Sequence, residues 1–284
     1  MMYLSHLMIE VGSNPDRPRP GRLWLRNMYH VHQRLCMAFP KCERPREDPA
    51  FLQPFKEKDF PLLRNPNAVP KDPRHSFLFR IDNSIQENSP RAIILVQSVL
   101  KPDWDYAFQN ARMFLAAEPE SREWQPAFTV GEELRFRILI NLSKKTAESR
   151  DGTDLRKVRE WTDTQGRPKS QGKRVALTWE EGQRPEDMIL PWFARKAAQS
   201  GFELRDCRVL RLGWVAGYLP ERKTPGKEGK EGEGGHPGRQ MKFRSALLEG
   251  TLAVADAPLF AQAIASGIGS AKAFGFGLLS VAPA

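Results

Sequence analysis

The strongest constraint on how this chain can fold is an order of periodicities that occurs twice. Residues 3–11 are apolar and β-compatible, and Gly12-Ser13-Asn14-Pro15 ends them. Beyond the basic turn Arg17-Pro18-Arg19-Pro20-Gly21, Asn27 stands as an N-cap ahead of Met28, Val31, Leu35 and Ala38 at helical spacing, and Pro40 closes that helix. Residues 76–82 alternate, with Phe77, Phe79 and Ile81 on one face, and 91–100 form an apolar strand behind Asn88-Ser89-Pro90. Residues 104–117 have helical composition. Residues 134–141 then set Leu134, Phe136, Ile138 and Ile140 on a core face and Arg135 and Arg137 on the other. The order is strand, helix, two strands, helix, strand.

It returns in the second half as a strand at 174–178, a helix at 185–199, a strand pair within 202–218, a long strand at 241–254, a helix at 257–266 and a closing strand at 276–281. Three stretches stand outside the pattern. Residues 40–75 hold eight prolines, 144–172 are polar and basic, and 223–235 are rich in glycine and charge. They suit a surface excursion, a linker or partner-binding loop, and a flexible hairpin tip. The fold class expected is α+β, with two tandem ferredoxin-like (βαββαβ), RRM-like domains: residues 1–141, a basic linker 142–172, and residues 173–284.

Charge narrows the partner. The net charge is +10, and between Arg135 and Arg174 twelve Lys and Arg stand against five Asp and Glu. That concentrates most of the positive field in one region and favours an anionic partner. No apolar run reaches a membrane span, no cationic amphipathic helix is present, and the first residues lack a secretory signal, so a membrane role is disfavoured and the cytoplasm is expected. Cys36, Cys42 and Cys207 have neither disulfide-framework nor zinc spacing. The five histidines show no metal-ligand spacing either, and neither a metal nor a cofactor is expected.

Near the C-terminus, Gly267, Gly269, Gly275 and Gly277 surround Lys272, the one charged side chain after Gly267. Such a loop can bring backbone N–H groups to a phosphate. Its context is helix, loop, strand, the reverse of nucleotide-binding loops, so a nucleotide cofactor is disfavoured. Taken alone, the loop reads better as a turn that closes a helix and starts an edge strand. Tyr29 and His32 lie at i and i+3 on one helix face, close enough to act on one group. By spacing alone, a histidine hydrogen-bonded at a core edge explains the pair as well.

Together, Met2-Tyr3-Leu4-Ser5, Tyr29-His30-Val31-His32-Gln33, Phe136-Arg137 with Asn141, and the ending from Gly267-Ile268-Gly269-Ser270-Ala271-Lys272 to Gly277-Leu278-Leu279-Ser280-Val281-Ala282-Pro283 resemble the CasE family. These are the CRISPR repeat-cleaving endoribonucleases of the type I-E Cascade complex. The resemblance implies metal-independent cleavage of precursor CRISPR RNA at the base of the repeat stem-loop, retention of the guide RNA, and contact with other Cascade subunits. It assigns catalysis to His32 with help from Tyr29. Some members carry a lysine where this chain has Met37, which leaves Lys144, Lys145 or Arg174 to meet transition-state charge. Arg135, Arg137, Lys272 and the loop glycines are expected to hold RNA. The alternative from another class is an RNA-binding subunit that does not cut.

Overall fold

The computed structural model describes residues 1–14, 19–39, 77–83, 90–146, 174–219 and 238–284. The stretches 40–75 and 223–235, and 144–172 apart from its first three residues, lie outside them.

The first half contains β1 (Met2–Glu10), α1 (Pro20–Leu25), α2 (Met28–Cys36), β2 (Phe77–Asn83), β3 (Arg91–Ser98), α3 (Trp104–Phe108) and β4 (Glu120–Trp124). Its strands pair antiparallel in the order β2-β3-β1-β4, which is the ferredoxin-like arrangement of a βαββαβ chain. Alternation along the strands turns Leu7, Ile9, Phe79, Ile81, Ile94 and Val96 to one face. There they bury against Trp24, Val31, Leu35 and Phe108 from the three helices.

The second half runs through β5 (Glu133–Asn141), β6 (Ser143–Lys145), β7 (Arg174–Ala176), α4 (Pro185–Ala198), β8 (Phe202–Leu219), β9 (Arg239–Val254), α5 (Ala257–Ser266) and β10 (Leu279–Pro283). Its antiparallel sheet has the order β10-β5-β9-β8, the same topology again. Phe136, Ile138, Leu248 and Phe202 meet Phe193 of α4 and Phe260 of α5 in a second core.

The structure departs from the sequence reading in several places, α1 among them, since Pro20 and Gly21 open a short helix rather than close a turn. The strand at 134–141 opens the second sheet rather than closing the first, because its apolar face completes the second core and its edges pair with β9 and β10. The fourth strand of the first sheet is β4, a largely exposed edge strand without the apolar alternation that marks a strand in sequence. Residues 174–176 pair with β6 in a separate two-stranded sheet. Residues 202–219 form one strand, with register shifts at Leu204/Asp206 and Val209/Arg211 that let it twist without breaking. The helix expected at 104–117 is limited to α3 and a 3-10 turn at Arg112–Phe114.

The helix-free faces of the sheets meet across a buried arginine. Arg80 of β2, 3% exposed in its side chain, pairs with Asp82 at 2.8 Å and donates to the Arg137 carbonyl at 2.8 Å and Ser280 Oγ at 2.9 Å. The bonds of Arg80 set one sheet against the other, and Gln97 of β3 adds a 2.6 Å bond to the Ile264 carbonyl of α5.

Candidate active site

Helix α2 starts where the sequence places it. Asn27, in extended backbone, accepts the Tyr29 N–H on Oδ1 at 3.1 Å and so satisfies an orphan donor of the first turn. Val31 and Leu35 fix the helix to the first core, which leaves Tyr29 and His32 on the flanking stripe.

His32 packs against β2, its ring 5.3 Å from Phe77 and 6.2 Å from Phe79 between centroids. Its Nε2 lies 3.6 Å from Cys36 Sγ. Its Nδ1 is sealed from solvent and has no hydrogen-bond partner among the described residues. Burial pushes the His32 pKa down to about 4 and the Cys36 thiol up to about 12, so at neutral pH both are uncharged. Met37 is buried in the first core, so its side chain faces away from solvent.

The glycine loop follows α5 and leads into β10, in the helix–loop–strand order expected. A 3-10 turn at Lys272–Phe274 packs against α2. The glycines divide by role. Gly277 has φ +88°, its N–H bonds the Leu139 carbonyl at 2.9 Å, and a Cβ there would stand 2.6 Å from the Ile268 carbonyl. Gly275 is also buried and its N–H bonds Lys272, while the Gly267 N–H bonds Ala263. These three are committed to closing the loop and do not offer their amides to a phosphate. Gly269 differs, being exposed at φ +87° with nothing within 4 Å of where a Cβ would stand.

Lys272 Nζ donates to the Ser266 carbonyl, and burial lowers its pKa. Ser270 Oγ accepts from Asn141 Nδ2 at 3.1 Å and lies 3.2 Å from Ser143 Oγ, which joins the loop to the start of β6. Exposed Lys144 and Arg174 therefore lie on the small sheet that leaves the loop, and Lys145 is paired in register with Arg174.

Arg135 and Arg137 fall elsewhere. Arg137 is clamped by Glu249 at 2.7 Å, Glu249 also takes Arg208, and Arg135 Nε donates to the Pro283 carbonyl at 2.9 Å. Both arginines line a cavity of about 760 Å³ between the sheets, together with Arg80. His32 packs on Phe77 and Phe79, whereas Arg80 reaches Arg137 from the opposite face of β2. The strand thus separates these arginines from His32. The structure packs α2, which carries Tyr29 and His32, against the turn that carries Lys272, and Ser270 joins that loop to the small sheet of Lys144 and Arg174.

Cys36 lies beside His32 as their shared helix stripe, at i and i+4, implies. Sequence reasoning missed a row of stacked cations and rings on the β8–β9 hairpin. Lys242 lies 4.9 Å from the Trp214 ring, and Arg244 lies 5.2 Å from it and 4.1 Å from Trp179.

A family model described as CRISPR associated protein matches residues 2–283. The CRISPR-associated endoribonuclease Cse3 of Thermus thermophilus is 28% identical over 74% of this chain and 81% of its own length. The CRISPR system Cascade subunit CasE of Escherichia coli K12 is 25% identical over 99% of this chain and all of its own. In structure, the fold is similar to that of Cse3 bound to a 19-nucleotide RNA, with a TM-score of 0.60 at 23% identity, covering 99% of this chain and 100% of that one.

Proposed function

This chain belongs to the family of CRISPR-associated proteins, and we propose that it is an endoribonuclease that cuts precursor CRISPR RNA at the base of the repeat stem-loop without a metal. It then keeps the guide RNA as a subunit of a Cascade complex in the cytoplasm. The observation that carries the reading is His32: a neutral imidazole, one nitrogen short of a hydrogen bond, three residues from a tyrosine and beside a loop that holds a lysine. A buried nitrogen without a partner costs about 1–3 kcal/mol, a cost that a catalytic group repays in another state of the protein.

The chemistry needs little more. RNA supplies its own nucleophile, the 2′-OH, so the protein has only to align it, move protons and meet the charge that builds on phosphorus. Burial leaves His32 unprotonated in the free enzyme, the form a general base needs, and a bound phosphate beside the ring raises its proton affinity toward the working pH. The 2′-oxygen bonds phosphorus as its proton passes to His32, the P–O5′ bond breaks, the leaving 5′-oxygen takes a proton from the imidazolium or from water, and the products are a 2′,3′-cyclic phosphate and a 5′-OH. Tyr29 orients the phosphate, Lys272 with Lys144, Lys145 and Arg174 supplies positive charge, and the exposed backbone at Gly269 admits the strand.

The sealing of His32 Nδ1 also favours a second reading, in which His32 is a core-edge residue and the chain binds RNA without cutting it. Single-turnover cleavage of the chain's own repeat RNA in EDTA separates the two. The nuclease reading expects metal-independent cutting, loss of cutting when the ribose 5′ to the scissile phosphate is 2′-deoxy, and a fall of about 10² to 10⁴-fold in His32→Ala at nearly unchanged Kd. Undiminished cleavage of the deoxy substrate, or a strict metal requirement, overturns it. Full activity in His32→Ala removes His32 from the mechanism.

A further inference from the structure

One side-chain oxygen in this molecule serves two elements at once. Asn27 Oδ1 accepts the N–H of Tyr29 in the first turn of α2 at 3.1 Å and the N–H of Tyr218 on β8 at 3.2 Å. The first bond is a helix cap that many residue types could make. The second is not local. β8 is the outer strand of its sheet, so a backbone donor on its free edge needs a partner from elsewhere in the chain.

The surroundings make the junction tight. Gly217, the residue before Tyr218, is buried, and a Cβ there would stand 2.7 Å from the Phe274 ring and 3.7 Å from Asn27 Oδ1. Phe243 of β9 packs on Phe274 with centroids 4.7 Å apart. The hairpin therefore lies flat on the 3-10 turn of the glycine loop at the point where it reaches α2. On its opposite face the same stretch exposes Trp214 and Tyr218 among Lys242 and Arg244. That face belongs to the strand whose edge is bonded to the start of the helix that carries Tyr29 and His32.

We propose that Asn27 is a positioning residue for the cleavage reaction, tying the β8–β9 hairpin to the catalytic helix through its two-fold acceptor. The inference rests on the endoribonuclease reading for its rate effect but not for the bond itself. Carboxamide or carboxylate geometry is required: a serine at position 27 still caps Tyr29, but its shorter side chain does not span to Tyr218.

The test uses Asn27→Ser, Asn27→Asp and Asn27→Ala in the full chain, with two readouts. Amide hydrogen exchange in the RNA-free protein reports the bond. Asn27→Ser should keep Tyr29 protection and the wild-type Tm while Tyr218 exchanges about fivefold faster or more, and Asn27→Asp should restore Tyr218. Single-turnover cleavage of repeat RNA reports its use. Asn27→Ser should cut about tenfold more slowly at unchanged Kd, Asn27→Asp should recover, and Asn27→Ala should be at least as slow as Asn27→Ser. Wild-type cleavage by Asn27→Ser reduces Asn27 to a cap and overturns the proposal. So does a loss confined to Kd, or failure of Asn27→Asp to restore both readouts. If the wild-type chain does not cut its repeat, the nuclease reading fails, and unchanged Tyr218 exchange in Asn27→Ser then separately rejects the tie.

Discussion

Lowering the pH from about 7.5 to about 5 should cost the folded chain about 2 kcal/mol through His32 alone. Burial against Phe77 and Phe79 holds the folded imidazole at about 4, against 6.5 for an unperturbed one. At about 1.4 kcal/mol per tenfold change in proton affinity, the whole difference is about 3 kcal/mol. The sign follows from which state takes the proton. Above 6.5 both states are neutral and the contribution of burial is complete. Below 6.5 the unfolded chain binds a proton that the folded chain refuses, so stability is lost progressively and the loss levels off once the pH passes below the folded value near 4. By pH 5 about two-thirds of it is gone.

Denaturant unfolding of the wild type and of His32→Leu at both pH values isolates the effect, since leucine keeps an apolar contact with β2 and removes the titration. The wild type should lose about 2 kcal/mol more than the variant over this interval. An NMR titration of the imidazole should place its midpoint well below 6.5 in the free protein. With an uncleavable 2′-deoxy repeat bound, the midpoint should move up, because a phosphate beside the ring favours the imidazolium. Parallel pH dependences in wild type and variant, or a free-protein midpoint near 6.5, would refute the burial argument.

Asp82→Asn leaves Arg80 charged between the sheets without its carboxylate, and should lower stability by about 3 kcal/mol in thermal or denaturant unfolding. Gly277→Val should fail to fold or lose several degrees in Tm, because its Cβ meets a backbone carbonyl, whereas Gly269→Val, strained at φ +87° but free of contacts, should stay folded with a smaller loss in Tm and lose RNA cleavage. Arg135→Ala with Arg137→Ala should leave the single-turnover rate constant within about threefold of wild type. A loss of about a hundredfold would route RNA through the inter-sheet cavity. Lys272→Met should slow cleavage by about 10- to 100-fold with little change in Tm, because Lys272 sits in the turn packed on α2 and Met37 offers no cation. Wild-type cleavage by Lys272→Met would shift that role to Lys144, Lys145 or Arg174.

What the sequence revealed and what it hid divide along the reach of each interaction. Asn27 as a cap, α2, the alternation of β2 and β5, and the glycine loop all follow from contacts within a few residues, and so could be read by period and by turn chemistry. The allegiance of β5 could not. Its Leu134, Phe136, Ile138 and Ile140 would suit either core, and what decides is its pairing with β9 more than a hundred residues later. β4 was hidden for the opposite reason, since an edge strand exposed along most of its length needs no apolar signature and is held by backbone bonds to β1. The same limit governs the site. Tyr29 and His32 share a helix face by spacing, but the burial that sets the charge of His32 comes from Phe77 and Phe79 on a strand some forty residues away. Arg137 reads as a free cation until Glu249 is brought beside it across the sheet. Charge counted along the chain therefore overstates the field that RNA can meet. The cations left beside the loop are Lys272, Lys144 and Arg174, and the proposed mechanism draws its positive charge from them.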